Sequence, residues 1–451
     1  MNETAKERRE RAELQFAGDT DTFLRSCDIR VHIEHDITTY LDQALELIRC
    51  TGKLNLTKKQ LPEAPHEARS VFLGEASHFY SLTGLVRVTD RFGDYGFVGL
   101  FLKIQGDALS PGWLSHFCFA DEILGTRTET WLYRHLGSPG IALPGEVAVD
   151  LWDGKKIDWI SLASVDGERP NDLSAKVPEI RIVGGCEGNI FSHYLAYNAQ
   201  RLRTEASLST KGLFVRVNSA SNLLSASSRA GQKFKDETAT LGLPYEQLVS
   251  RFFDEAQQGS FLIYSGHMDF GYVGYEHKEE GWHIKVEPSE YFADITLMSD
   301  DAIQQYLATK SFDIETKSHI SHVISHIRSN YVSVFGPRKD KFREQMRTIV
   351  SSVPDGARLI ILVPDNRVRV NGLLETLTAV DLYIDRLRAC LADSPEVSLI
   401  YYRDCISSED EIGDGWFHYD RIVYLRVARA IRDLIGSRAQ AARVEAVSGG
   451  A

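Results

Sequence analysis

Residues 180–191 read Ile-Arg-Ile-Val-Gly-Gly-Cys-Glu-Gly-Asn-Ile-Phe, and this stretch sets the architecture of the second half of the chain. Its first four residues form a short run rich in β-branched side chains, which predicts a strand. The run breaks at two glycines and continues in a way that suits a helix. This order places Cys186 at the carboxyl edge of a sheet, where ligands bind in open α/β folds. Because a helix N-terminus also favours the thiolate, we predict Cys186 as a nucleophile.

Strands and helices alternate through residues 178–440, which predicts a parallel sheet with helices on both faces. We expect a three-layer α/β/α, flavodoxin-like domain over these residues. The predicted strands are 179–183, 213–217, 260–264, 358–363 and 397–402, and the predicted helices include 300–330, 373–391 and 419–435. If His418, just before the last helix, folds back beside Cys186, the two residues make an acyl-transfer pair.

The first half mixes strands and helices in a different order. Its predicted strands are 29–33, 86–88, 98–102 and 113–119, with a hairpin turn at 90–96, and its predicted helices are 36–50 and 128–136. Together these predict a separate α+β domain over residues 25–140. We interpret residues 1–24 as a polar leader, 141–177 as a linker and 441–451 as a disordered tail.

The composition of the chain limits the classes of partner and compartment that we expect. The 451 residues carry a net charge of −12 and are 43% hydrophobic, which allows sizeable cores and argues against a nucleic-acid partner. The six cysteines are scattered without a C-x-x-C pair, as is typical of a reducing compartment. The chain shows neither a signal peptide nor an apolar run long enough to span a membrane, so we predict a cytoplasmic protein.

Three segments of the second half resemble the SGNH hydrolase superfamily. Gly184-Gly185-Cys186 stands where that family has Gly-Asp-Ser after its first strand, and Gly266-His267-Met268-Asp269 stands at its third block. Asp414-Gly415-Trp416-Phe417-His418 stands where the family has Asp-x-x-His. The resemblance implies Cys186 as nucleophile, His418 as base and Asp414 as the residue that orients His418. It further implies a substrate-binding set of Gly185, Asn189, Asn218, His267 and Asp269.

This chain departs from the SGNH pattern in three ways. Cysteine replaces the family's serine, which favours thioester chemistry. Met268 stands where the family has an oxyanion-stabilising asparagine, so Asn189, Asn218 or backbone N–H groups after Cys186 would have to donate instead. The spacing between Asp414 and His418 is one residue wider, so Asp420 is an alternative orienting group. Cys186 as a small buried residue and His418 as a helix-lining residue stay open as alternatives.

Residues 28–137 resemble the C-terminal, GNAT-like domain of FkbH-like proteins. The resemblance rests on Ala44–Thr57, on Asp90-Arg91-Phe92-Gly93-Asp94-Tyr95-Gly96 and on Trp113–Glu129. It implies an acetyltransferase fold in which a strand-to-helix turn, here Gly125-Thr126-Arg127, binds the pyrophosphate of coenzyme A through Gly125 and Arg127. The alternative is that Gly125 only turns the chain. The Asp-x-Asp-x-Thr motif of the FkbH catalytic domain is missing, so that activity does not carry over.

The residues alone require no cofactor, and no metal site is predicted. His319, His322 and His326 share one helix face at i, i+3 and i+7, which we interpret as a polar face in preference to a metal site. Phosphate-loop motifs are missing from the sequence.

The leading hypothesis is an acyltransferase or an esterase/thioesterase. It would act on an acyl group bound to coenzyme A or to the phosphopantetheine arm of a carrier protein, or on an acylated sugar. The rival hypothesis is a non-catalytic module that binds a glycan or an acyl carrier protein. A third is that the GNAT-like domain is the catalyst and the second half recognises substrate.

Overall fold

The structure is a computed structural model. It describes residues 3–16, 18–50, 52, 54–105, 112–143, 149–163, 177–185, 187–217, 223, 231–254, 256–266, 273–288, 294–335, 342–415 and 417–448. The chain divides into two compact units. Unit 1 comprises residues 1–174 with 420–425, and unit 2 comprises residues 175–419 with 426–451. Helices and both parallel and mixed sheets are present, so the predicted α/β class is confirmed.

Unit 1 is built on a mixed five-stranded sheet in the order β4-β3-β2-β1-β5. Its strands are β1 (Ile29–Glu34), β2 (Ser81–Asp90), β3 (Gly93–Ile104), β4 (Trp113–Phe119) and β5 (Ile160–Ala163). The first four are antiparallel neighbours, and β5 pairs in parallel with β1. The helices of this part of the chain are α1 (Ala5–Glu13), α2 (Thr20–Ser26), α3 (Leu41–Cys50), α4 (Pro65–Ser77) and α5 (Thr128–His135).

The core of unit 1 forms where α3 and α4 pack on the sheet. The apolar face of α3, including Ala44 and Ile48, meets Phe72 of α4 and Leu100 of β3. The β2–β3 hairpin closes because the Asp90 carboxylate accepts two backbone N–H groups within its turn. Strand β5 lies within residues 141–177, the segment interpreted as a linker. Within residues 1–24, the segment interpreted as a leader, α1 and the start of α2 are helical.

Unit 2 is built on a parallel five-stranded sheet in the order β18-β15-β10-β6-β7. Its strands are β6 (Val177–Gly184), β7 (Ala199–Ala206), β10 (Phe261–Ser265), β15 (Arg358–Val363) and β18 (Val397–Tyr401). Numbered by their order in the chain, the strands lie 2-1-3-4-5 across the sheet. The strand that follows β6 in this sheet lies on one side of the β6–β10 pair, and the strand that follows β10 lies on the other, so the strand order reverses between β6 and β10. Strand β15 has the predicted bounds, and its apolar side chains are buried because the strand is interior to the sheet.

A second core lies within unit 2, between residues 213 and 331. It is covered by short antiparallel strands: β8 (Leu208–Thr210), β9 (Leu213–Val215), β11 (Val273–His277), β12 (His283–Ile284), β13 (Val286–Pro288) and β14 (Tyr331–Phe335). Four helices contribute to it or border it: α7 (Gln232–Thr240), α8 (Tyr245–Leu248), α9 (Asp300–Thr309) and α10 (Ile314–Asn330). The prediction of one helix over 300–330 was wrong, because Asp313 accepts the Thr316 N–H and begins a second helix.

The remaining elements are α6 (Glu187–Leu195), α11 (Phe342–Ser351), α12 (Thr378–Leu391), α13 (Arg421–Ser448) and the hairpin of β16 (Arg367–Val370) with β17 (Leu373–Thr376). The helix predicted over 373–391 starts only at Thr378. Asn371 and Gly372 both have positive φ, which closes a tight two-residue hairpin and makes residues 373–376 a strand. Among the described residues, no helix combines the length and apolar character that crossing a bilayer requires.

Candidate functional site

Two glycines and a carboxylate occupy the carboxyl end of β6. Gly185 donates its N–H to Oε1 of Glu187 at 2.7 Å, and the Glu187 side chain is buried at the start of α6. A Cβ on Gly185 would lie 2.7 Å from Oε2 of Glu187, so a side chain at this position would displace the carboxylate. A Cβ on Gly188 would lie 3.4 Å from Thr204 of β7, which is an ordinary contact distance. Gly185 and Glu187 thus form a strand-to-helix turn around a buried acid.

Four of the predicted site residues lie outside the described residues: Cys186, Asn218, His267 and Asp269. Asn189 is described; it is exposed on α6, and its carbonyl accepts from the Ser192 hydroxyl. Gly185 belongs to the turn at the end of β6. The structure therefore describes Gly185 and Glu187, the residues on either side of Cys186.

His418 and Asp414 lie in the segment that precedes α13. His418 is half-buried, and its carbonyl accepts the Gly413 N–H at 2.9 Å. A Cβ on Gly415 would lie 2.8 Å from Nδ1 of His418, so the imidazole packs against Gly415, whose φ is +106°. Gly415 in turn donates to the Arg369 carbonyl on β16. Asp414 is exposed to solvent.

A buried polar cluster lies at the carboxyl end of β15. Asp365, which is 2% exposed, receives Nε and Nη2 of Arg367 at 3.0 and 2.8 Å. The Asp365 backbone N–H donates to the Tyr419 hydroxyl at 3.1 Å. Tyr419 stacks on Tyr402 with ring centroids 5.0 Å apart. The pKa of Arg367 is raised because its guanidinium is hydrogen-bonded to Asp365.

Tyr419 relates this cluster to the turn after β6. Burial raises the pKa of its phenol far above the usual range, and the hydrogen bond from the Asp365 backbone N–H offsets part of that rise. Glu187 follows the carboxyl end of β6, and the Asp365 N–H that is bonded to Tyr419 follows the carboxyl end of β15. Because these strands are parallel, both residues lie at the same edge of the sheet.

Sequence reasoning missed Glu187, Asp365, Arg367 and Tyr419. One signal was available for Asp365, since it comes two residues after a strand of the parallel sheet whose last five residues are apolar, at the edge where ligands bind. Glu187 likewise comes shortly after the end of β6. Neither position forms a motif in the sequence, because the cluster is assembled from segments far apart in the chain.

The turn predicted to bind pyrophosphate in unit 1 already has internal partners. Arg127 forms an ion pair with Asp153. Glu129, in the first turn of α5, is 2% exposed, and burial raises the pKa of its carboxyl. The hydroxyl of Thr126 lies 2.8 Å from that of Thr128. The Arg127 guanidinium is therefore already engaged by Asp153, and pyrophosphate binding by Gly125 and Arg127 stays a prediction.

The three histidines of α10 each face α7 or the residues after it. Nε2 of His322 lies 3.1 Å from the Thr240 carbonyl, and Nε2 of His326 lies 2.8 Å from Oε1 of Glu237. His319 packs against Gly242. Across the part of the chain that the structure describes, no group of three potential ligands is arranged to hold a metal ion.

Comparison of the chain with models of known protein families, with curated proteins and with solved structures gives no match.

Proposed function

We propose that unit 2 is an SGNH-like domain whose Cys186 and His418 carry out acyl transfer or ester/thioester cleavage, and that unit 1 is a GNAT-like domain. The observation that supports this most directly is that Tyr419, the neighbour of His418 in sequence, accepts the Asp365 N–H at the carboxyl edge of the parallel sheet, the same edge at which Glu187, the neighbour of Cys186, begins α6. The 2-1-3-4-5 strand order adds support, because it puts β6 and β10 at a topological switch point where ligands bind.

In the proposed reaction, Cys186 transfers its thiol proton to the His418 imidazole, and its sulfur forms a bond to the acyl carbonyl carbon. The bond from that carbon to the leaving oxygen or sulfur then breaks, and His418 returns the proton to the leaving group. Water or an acceptor hydroxyl takes the acyl group in a second step and regenerates the thiol. Asp414 remains the proposed orienting group for His418, with Asp420 as the alternative.

The acyl donor is proposed as coenzyme A or the phosphopantetheine arm of a carrier protein, with an acylated sugar as the alternative substrate. Thioesters suit a thiol nucleophile, because a thiolate leaving group matches the attacking sulfur in basicity. Asp153 already engages Arg127, the arginine of the predicted phosphate turn on unit 1, so we propose that the donor binds at the sheet edge of unit 2.

One observation favours the second candidate, a non-catalytic module that binds a glycan or a carrier protein. An oxyanion hole needs backbone N–H groups directed at the reacting carbonyl. The Gly185 N–H is already engaged by the Glu187 carboxylate at 2.7 Å, and a buried carboxylate there opposes a second negative charge. Catalysis at Cys186 would therefore depend on N–H donors other than that of Gly185.

The test is iodoacetamide labelling of the native protein at pH 7, with each cysteine quantified by peptide mass spectrometry. Cys50 is exposed on α3 and serves as the internal reference. An activated Cys186 thiolate should react about tenfold faster than Cys50, and His418→Gln should abolish that difference. Equal, slow labelling of both cysteines would contradict activation and leave the binding module as the better account.

A second measurement locates the chemistry. Hydrolysis of an acyl-thioester probe should be lost in Cys186→Ala and in His418→Gln and retained in Arg127→Ala. The reverse pattern, with turnover lost only in Arg127→Ala, would move the reaction to unit 1. Circular dichroism of each variant separates loss of chemistry from loss of fold.

A further inference from the structure

Two arginines on β16 have different surroundings. Arg369 directs all three guanidinium nitrogens at main-chain carbonyls, those of Ile412, Gly372 and Glu409. These contacts hold neighbouring segments together and engage every guanidinium nitrogen of Arg369 within the fold. Arg367, two residues earlier and therefore on the same face of the strand, engages only one edge of its guanidinium.

The engaged edge of Arg367 is held by a buried acid. Nε and Nη2 contact Asp365, whose side chain is 1% exposed, whereas the Arg367 side chain is 30% exposed. Within the described residues, Nη1 makes no hydrogen bond, and it lies 3.9 Å from Oε1 of Glu409, which is 66% exposed. Such an exposed, distant ion pair contributes little, so Glu409 can give way to a ligand. Arg367 is thus anchored on one side and open on the other.

We propose that Arg367 binds an oxyanion group, a phosphate or a carboxylate, at the carboxyl edge of β15. A guanidinium fixed by a carboxylate on one edge presents a planar pair of donors on the other, which is the geometry that binds two oxygens of an anion. Because the Asp365 backbone N–H donates to the hydroxyl of Tyr419, the residue after His418, the bound anion would flank the proposed reaction centre. Assigning the anion to the substrate rests on the proposed function, whereas the binding itself does not.

The experiment is isothermal titration calorimetry of the full chain with two probes, inorganic pyrophosphate and succinate, at constant ionic strength. Arg388→Gln is the matched control, since Arg388 is an exposed arginine of unit 2 that contacts Tyr401. We expect at least one probe to bind, with affinity reduced about tenfold or more in Arg367→Gln and unchanged in Arg388→Gln. Arg367→Lys should lie between the two, because it keeps the charge and loses the planar fork.

The choice of probe identifies the ligand. Preference for pyrophosphate indicates a phosphate-bearing substrate, and preference for succinate indicates a carboxylate. The proposal is overturned if the wild-type protein binds neither probe, if Arg367→Gln binds as tightly as wild type, or if Arg388→Gln loses as much affinity. Should Arg367→Gln fail to fold because Asp365 loses its counter-charge, the Asp365→Asn/Arg367→Gln double variant replaces it.

The same titration in Cys186→Ala separates this proposal from the proposed function. Anion binding that persists in Cys186→Ala, alongside a wild-type protein without acyl turnover, would sustain the role of Arg367 and reject the acyl-transfer reaction. Acyl turnover in a protein that binds neither anion would support the acyl-transfer reaction and reject the role of Arg367.

Discussion

Replacing Arg181 on β6 with methionine should destabilise unit 2 strongly. Arg181 and Glu179 form an ion pair at 2.8 Å with both side chains 4% exposed. Removing the guanidinium leaves a buried carboxylate, which costs about 3–5 kcal/mol in comparable pairs. Two carbonyls, those of Arg251 and Phe252, also lose the hydrogen bonds that Arg181 donates. Arg203, 3.0 Å from the other Glu179 oxygen, offsets part of this, so we expect about 3–4 kcal/mol.

The assay is urea-induced unfolding followed by circular dichroism, with the slope of free energy against urea used to check that the transition is unchanged. Arg201→Met is the matched control, because Arg201 is 62% exposed and 3.7 Å from Glu179, and it should cost less than about 1 kcal/mol. The Glu179→Gln/Arg181→Met double variant should be more stable than the sum of the single changes predicts. A cost below about 1 kcal/mol for Arg181→Met, or strict additivity in the cycle, would refute the reasoning.

Two further predictions concern a buried histidine and a constrained glycine. Burial, with the nearby charge of Lys59, lowers the pKa of His116 to about 4, so the unfolded chain takes up the proton first as the pH falls. Stability contributed by the neutral ring is complete above about pH 6.5, and about 2 kcal/mol of it should be lost by pH 5. Denaturation at the two pH values should show this loss for wild type and a smaller one for His116→Leu. Gly242 has φ +63°, and a Cβ there would lie 2.5 Å from Cε1 of His319. Gly242→Ala should therefore cost about 2 kcal/mol or more by thermal unfolding, against about 1 for Gly281→Ala, which has φ +71° and no neighbour within 4 Å; equal costs would count against the close contact.

Strands buried on both faces were the most predictable part of the fold. In the run 358–363 every residue after Arg358 is apolar, and the run became β15 with the bounds expected for it. The hairpin at 367–376 was predictable in principle, because Asn371-Gly372 is a strong tight-turn signal, but the leucines that follow suggested a helix. Strand β5 was harder, since its four residues are a strand only by pairing with β1, more than a hundred residues earlier in the chain.

The candidate site also contains a part that local sequence predicts and a part that only long-range contacts create. Glycines after a strand are a local signal, and they led to the turn at Gly184 and Gly185, where the structure places a buried acid. The role of Asp365 is not local. Its carboxylate is held by Arg367, and its N–H is received by a tyrosine more than fifty residues further along the chain. Periodicity and motif spacing do not predict these contacts, because the contacts depend on which segments meet at the edge of the folded sheet.

The second core of unit 2 lies between residues 213 and 331, and the middle strand of the parallel sheet, β10, is drawn from within that interval. The polypeptide therefore passes back and forth between two apolar interiors instead of completing one before starting the other. A single continuous deletion cannot remove the second core and keep the parallel sheet. Deleting all of residues 213–331 would also delete β10, the strand between β6 and β15. Removing the second core while keeping the parallel sheet would require at least two separate deletions, one on each side of β10.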